Sequence, residues 1–134
     1  MTSSFFQAFE RVVVFEEAGF LRLDIRLPDH VRNPRGQLFG GFTPTYVDLV
    51  SLYTVRAGPD RATAGANRWF ATTNMRIDYF EPILGPKFVI ESQLEKSRGR
   101  THMVVTRFFQ DDVLAVLALT TLRETPPAKT LGDG

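Results

Sequence analysis

The sequence predicts an α+β domain in which a curved antiparallel sheet wraps around one long central helix. Residues 42–57 cover a helical length and contain only two charged residues, Asp48 and Arg56, which is typical of a helix surrounded by protein on most sides. Four strand-like segments follow, with short turns between them and no further helix. A single buried helix needs a sheet to cover it, and short connections between strands require antiparallel pairing.

The N-terminal part predicts a short helix followed by a hairpin. Its apolar residues recur at spacings of three and four, which favours an amphipathic helix on Phe5, Phe6, Phe9, Val12 and Val13. Residues 12–17 are also compatible with a strand that turns at Ala18 and Gly19. Residues 20–27 alternate apolar with charged side chains, the pattern of a strand with one face buried, and Pro28 ends it.

The central helix has recognisable boundaries. A loop rich in turn formers, residues 33–41, precedes it. Thr43 followed by Pro44 is the expected N-cap and first-turn pair, and Gly58 with Pro59 is a strong stop signal. A polar loop, residues 60–67, then leads back to extended structure.

The C-terminal half predicts antiparallel strands at residues 69–80, 87–96, 101–110 and 113–122. The stretches 88–90 and 113–119 are too continuously apolar for one face of the sheet to lie wholly in water. We therefore expect dimerisation or further assembly.

Composition limits the functional classes. A chain of 134 residues, 43% of them hydrophobic, suits one domain, which we place at residues 1–125 with a flexible tail at residues 126–134. Sixteen basic against fifteen acidic residues argue against nucleic-acid or membrane-surface binding. Cysteine is absent, and no spacing of His, Asp and Glu resembles a metal site. The N-terminus lacks a signal-peptide pattern, so we expect a cytoplasmic protein.

Residues 33–48 resemble the signature of hot-dog fold thioesterases of the phenylacetic-acid-degradation type. That signature has an Asn, a Gly three residues later, a His-Gly-Gly at the start of the central helix, and an Asp or Glu about two turns on. The matching residues here are Asn33, Gly36, Gly40, Gly41 and Asp48. Residues 75–82 resemble the family's strand that ends in a proline, and residues 96–100 resemble its later Gly-Arg turn.

The resemblance implies an acyl-CoA thioesterase that needs no cofactor, since coenzyme A enters only as part of the substrate. It implies a homodimer, and we expect a dimer of dimers, in which the catalytic Gly and Asp come from different subunits. The Gly40 N–H then donates to the thioester oxygen, and Asp48 acts as general base or nucleophile. There are two departures from the family pattern: Phe39 stands where the family usually has histidine, and Gly85-Pro86 replaces the common Gly-Asp. Phe39 cannot form a side-chain hydrogen bond.

The residues themselves leave alternatives open for both catalytic groups. The Gly40-Gly41 pair also suits an ordinary loop-to-helix turn. Asp48 has apolar sequence neighbours, which predicts a buried carboxylate with a raised pKa, suited to a general base. The alternatives for Asp48 are an exposed position on the one polar stripe of the helix, or a structural ion pair with Arg56 or with an arginine of a strand.

Other site residues carry weaker signals. Asn33 and Thr72 are expected to position the water or the carboxylate, although Asn33 before a proline also suits a turn. Phe39, Gly41 and Phe42 are expected to bind the substrate, and Phe39, Phe42 and Phe70 are candidates to line an aromatic or acyl slot, although most of the phenylalanines are expected in the core. The basic turn Arg98-Gly99-Arg100 is expected to contact the phosphates of coenzyme A, although such turns are usually only solvated edges. His30 and His102 are not expected to be catalytic.

The same residues are also compatible with two functions other than hydrolysis. A hot-dog protein without the histidine could bind acyl-CoA or lipid without turnover. A dehydratase or hydratase ranks last, because the histidine motifs of those enzymes are absent.

Overall fold

The computed structural model describes residues 11–57 and 69–125. The elements within these ranges are β1 (Arg11–Glu17), β2 (Phe20–Arg26), one 3-10 turn (Asp29–Val31), α1 (Thr43–Arg56), β3 (Trp69–Tyr79), β4 (Lys87–Arg98), β5 (Thr101–Gln110) and β6 (Val113–Thr125). The hairpin and the four later strands are thus confirmed close to their predicted bounds.

All six strands form one antiparallel sheet in the order β1-β2-β4-β5-β6-β3. The helix α1 packs on five of them, β2 to β6, and Arg11 of β1 lies over the Tyr53 ring of α1 at 5.6 Å. The predicted antiparallel sheet around one helix is therefore confirmed. Strand β3 forms one edge of the sheet, because β6 is the only described strand that pairs with it.

An aromatic cluster joins the helix to the sheet. The Tyr46 ring of α1 meets Phe88 and Phe108 edge-on, with centroids 5.6 and 6.4 Å away. All three residues are buried, and burial in this apolar setting raises the pKa of the Tyr46 phenol. This packing fixes the rotation of α1 about its own axis and therefore decides which helix residues face away from the sheet.

The start of α1 differs from the prediction. Thr43 is the first helical residue and Phe42 is the N-cap, without a side-chain capping hydrogen bond. Thr43 is buried against the sheet, so packing rather than capping explains the threonine. Pro44 lies in the first turn, as predicted.

Several predictions lie outside the described residues: most of the N-terminal helix, the Gly58-Pro59 stop, the loop at residues 60–67 and the tail at residues 126–134. Residues 12 and 13, which that helix would have included, belong to β1. Among the described residues, no helix is both long and apolar enough to cross a membrane.

Candidate active site

Asp48 lies in the middle of α1 next to Thr72 of the edge strand β3. The Thr72 hydroxyl donates a hydrogen bond to Asp48 Oδ1, across 24 residues of sequence. Two of the predicted site residues are therefore brought together. The bond fixes one carboxylate oxygen in place and leaves Oδ2 available to a water molecule.

A cavity of about 520 Å³ opens beside this pair. Its remaining wall is mostly apolar and consists of Thr45, Leu49, Leu52, Trp69, Phe70, Ala71 and Leu122. A carboxylate at the edge of an apolar cavity meets two needs of acyl-transfer chemistry, a proton acceptor and a dry place for the acyl group.

The expectation that Asp48 is buried was wrong for the single chain. The buried residues of α1 include Thr43, Tyr46, Val47, Val50, Ser51 and Thr54, which recur at spacings of three and four and define the face against the sheet. Asp48 lies off this face and is exposed. Its partner is Thr72, whereas Arg56 lies over the ring of Phe70 at 5.9 Å. The polar-stripe alternative therefore describes its position, and the ion-pair alternative does not.

Gly40 and Gly41 form a tight turn that leads into α1. The Phe42 N–H donates to the Phe39 carbonyl oxygen at 2.9 Å, and neither glycine has a positive φ, so the turn is of type I. Among the described residues, no hydrogen bond is formed by the N–H of Gly40 or of Gly41. Two unpaired donors therefore lie at the positive end of the helix dipole, where an oxyanion is stabilised.

A second cavity, of about 330 Å³, lies beside Gly40. Asn33, Gln37, Tyr79 and Glu81 contribute to its polar lining. The Asn33 side-chain oxygen accepts hydrogen bonds from the N–H groups of residues 35 and 37, at 2.9 and 3.0 Å. Asn33 thus shapes its own loop. Its amide nitrogen donates to the Gln37 side-chain oxygen at 3.4 Å and keeps one further N–H for a ligand in this cavity.

Phe39 packs against the glycine turn. A Cβ added to Gly41 would lie 2.8 Å from a carbon of the Phe39 ring, closer than real atoms approach. Phe42 meets the same ring edge-on at 6.0 Å. Phe39 is 47% exposed, so its ring forms an apolar wall beside the donors at the position where the family has a histidine.

The basic turn lies at the same end of the sheet as Asp48. Arg98 pairs with Thr101, Thr101 with Arg123, and Arg123 with Ala71, which lines the Asp48 cavity. Three strand spacings separate Ala71 from Arg98, a distance of about 14 Å. Gly99 has a φ of +59°, which this tight connection requires, and all three turn residues are exposed.

The histidines have structural surroundings. His102 is buried, its Nδ1 bonds to the Ser97 hydroxyl at 2.7 Å, and its ring meets Phe70 edge-on. His30 is exposed in the 3-10 turn. Neither lines the Asp48 cavity or the Gly40 cavity.

Sequence reasoning missed three residues of these cavities. Tyr79 donates a hydrogen bond to the Gly40 carbonyl oxygen at 2.7 Å, Glu81 lines the Gly40 cavity, and Trp69 lines the Asp48 cavity. Tyr79 and Glu81 stand inside the family-like segment at residues 75–82, so their position next to the proline was a usable signal. Nothing in the sequence distinguishes Trp69 from a core residue.

The family model for the thioesterase superfamily matches residues 35–116, well over half of the chain. This range contains Gly40, Asp48 and Thr72 as well as β4 and β5. No curated protein matches the chain.

Several solved structures share the architecture. A phenylacetic acid degradation-related protein from Ralstonia eutropha is 23% identical with a TM-score of 0.78, over 92% of this chain and 91% of that chain. A thioesterase from Haemophilus influenzae is 8% identical with a TM-score of 0.80, over 97% and 88%. A hypothetical thioesterase protein from Streptococcus pneumoniae, solved with coenzyme A, is 14% identical with a TM-score of 0.72, over 90% and 92%. The hot-dog fold is thereby confirmed.

Proposed function

This chain belongs to the thioesterase superfamily, and from that premise we propose that it hydrolyses the thioester bond of an acyl- or aryl-acyl-CoA. The observation that carries the proposal is the carboxylate of Asp48, held by the Thr72 hydroxyl at the edge of an apolar cavity. In this proposal Asp48 is the general base or the nucleophile, and the Gly40 N–H is the oxyanion donor.

As general base, Asp48 removes a proton from a water molecule as that water attacks the thioester carbonyl carbon. The carbonyl electron pair moves onto oxygen, where the Gly40 N–H stabilises the negative charge. Collapse of this intermediate re-forms the carbonyl and breaks the carbon–sulfur bond, and the departing thiolate takes the proton from Asp48. As nucleophile, Asp48 attacks the carbonyl carbon and expels the coenzyme A thiolate, which leaves a mixed anhydride. Water hydrolyses the anhydride to the free acid and restores the Asp48 carboxylate, and the proton that water loses ends on the thiolate.

The topology supports a site assembled from two subunits. Within one chain, Asp48 and Gly40 line separate cavities at opposite ends of the edge strand β3. If two copies pair their β3 strands antiparallel about Asn74, Trp69 of one copy lies opposite Tyr79 of the other. The Asp48 cavity of one subunit then meets the Gly40 cavity of the other. We therefore propose a homodimer as the catalytic unit, and a dimer of dimers as the full assembly.

The basic turn supports coenzyme A as the thiol. Its distance of about 14 Å from the Asp48 cavity suits an extended pantetheine arm that leaves the thioester beside Asp48 and the nucleotide near Arg98 and Arg100. The coenzyme A bound to the hypothetical thioesterase protein from Streptococcus pneumoniae is consistent with this assignment.

A second candidate function rests on Phe39. The Phe39 ring has no hydrogen-bonding group, so it cannot form the side-chain hydrogen bond that a histidine would offer beside the oxyanion donor. The alternative to hydrolysis is that the protein binds acyl-CoA in the same cavities without cleaving it.

A panel of acyl-CoA substrates, read by release of the coenzyme A thiol, separates these functions. We expect turnover, and a kcat/KM for hexanoyl-CoA up to about 200-fold above that for acetyl-CoA, because its four additional methylenes contribute about 0.8 kcal/mol each when buried. Tight binding of every acyl-CoA without thiol release would instead identify a binding protein.

A further inference from the structure

The contact between Tyr79 and Gly40 links the edge strand to the turn that carries the proposed oxyanion donor. The two residues are 39 positions apart in sequence, and the phenol oxygen lies 2.7 Å from the Gly40 carbonyl oxygen. Tyr79 is 53% exposed, so its hydroxyl could bond to water instead. Its bond to a backbone carbonyl therefore restrains the orientation of one particular peptide group.

The restrained peptide is the one that joins Gly40 to Gly41. A trans peptide directs its C=O and N–H to opposite sides, so a fixed Gly40 carbonyl also fixes the direction of the Gly41 N–H. Both central residues of a type I turn have near-helical φ and ψ, so the two glycine N–H groups are expected to point the same way, away from the body of α1. Neither N–H is bonded to any described residue.

Two aromatic rings, those of Tyr79 and Phe39, pack against this turn. The Tyr79 ring lies 3.8 Å from where a Gly40 Cβ would stand, and the Phe39 ring leaves no room for a Cβ on Gly41. The missing Cβ of Gly41 thus permits the close contact with the Phe39 ring, whereas the Tyr79 ring would tolerate a Cβ on Gly40.

We propose that the Gly41 N–H is a second oxyanion donor and that Tyr79 is the positioning residue that orients it. This inference rests on the proposed thioesterase function. The hydroxyl of Tyr79 donates to the carbonyl of the same peptide whose N–H donates to the oxyanion, so each hydrogen bond polarises the other. The benefit arises when negative charge develops on the substrate oxygen, so Tyr79 affects kcat more than substrate binding.

The test is Tyr79→Phe, which removes one oxygen and keeps the ring packed on Gly40. We expect kcat to fall about 5- to 20-fold with KM within about twofold of wild type. The loss is smaller than for removal of an oxyanion donor, because the Gly41 N–H is less well oriented but still present. Tyr53→Phe is the matched control, since Tyr53 lies partly buried on α1 and lines neither cavity. An unchanged kcat in Tyr79→Phe, or a parallel loss of kcat, thermal stability and substrate affinity, would overturn the inference.

An NMR measurement tests the positioning independently of turnover. We expect the Gly41 amide proton signal to move upfield in Tyr79→Phe, since its peptide loses the polarising bond, and to stay in place in Tyr53→Phe. If Asp48→Asn abolishes turnover while Tyr79→Phe alters neither kcat nor the Gly41 signal, the positioning role of Tyr79 is rejected and the proposed thioesterase function stands. If the wild type hydrolyses no acyl-CoA, the proposed function is wrong, and an unmoved Gly41 signal would then reject the positioning role as well.

Discussion

Asp48→Asn is expected to lower kcat by about 1,000-fold or more and to leave the fold intact, because a general base or nucleophile of this kind contributes about 10²–10⁴. Asparagine has the size of aspartate, and its side-chain oxygen can still accept the hydrogen bond from Thr72. The amide, however, cannot take a proton from water or attack a thioester. The measurement is steady-state thiol release with the best substrate of the panel.

Asp24→Asn is the matched control, because Asp24 is an exposed carboxylate on β2 that lines neither cavity. It is expected to keep wild-type turnover. If Asp48→Asn also kept wild-type turnover, Asp48 would not be the catalytic carboxylate, and the role would pass to Glu81, which lines the Gly40 cavity.

Gly40→Pro is expected to lower kcat by about 100- to 1,000-fold, the usual cost of removing one oxyanion donor. Proline lacks the backbone N–H and is favoured at the second position of a type I turn, the place that Gly40 occupies between Phe39 and Phe42. The substitution therefore removes the donor with little disturbance of the turn. Circular dichroism and the thermal unfolding midpoint check that α1 is retained.

Gly40→Ala is the matched control for the proline variant. It keeps the N–H, and its new Cβ would stand 3.8 Å from the Tyr79 ring, an ordinary van der Waals contact. We expect its kcat within about threefold of wild type, since neither the donor nor the turn is lost. Equal turnover in the proline and alanine variants would remove Gly40 from the mechanism.

Local patterns in the sequence were sufficient for the strands and the helix. The alternation in β2, the turn signals between the later strands, and Pro44 at the helix start all act over a few residues, so one sequence contains them in full. The positions of the Gly40-Gly41 turn and of Asp48 also followed from the sequence, because the turn leads directly into the helix that carries Asp48.

The orientation of the helix could not be predicted in the same way. Residues 42–57 are apolar on almost every side, so periodicity does not show which face packs on the sheet, and Asp48 was wrongly expected to be buried. The aromatic packing of Tyr46 on Phe88 and Phe108 decides that orientation. Such packing depends on residues more than forty positions apart.

Contacts across the sheet could not be predicted from the sequence either. The hydrogen bond from Tyr79 to Gly40 depends on β3 being the edge strand, which follows from the order of all six strands rather than from any local pattern. Trp69 faces the Asp48 cavity for the same reason. A tyrosine or tryptophan in a strand is otherwise unremarkable.

A subunit-mixing measurement tests whether thioester hydrolysis occurs at a site shared between two subunits. In this account Asp48 comes from one subunit and Gly40 from the other. Asp48→Asn and Gly40→Pro proteins, each inactive alone, are unfolded together in equal amounts, refolded and assayed for thiol release. Random pairing makes half of the dimers mixed, and each mixed dimer has one intact site, so the account predicts about a quarter of wild-type activity. Each variant refolded alone is the control. A mixture no more active than its two components, with mixed dimers demonstrated by mass spectrometry, would contradict the shared site.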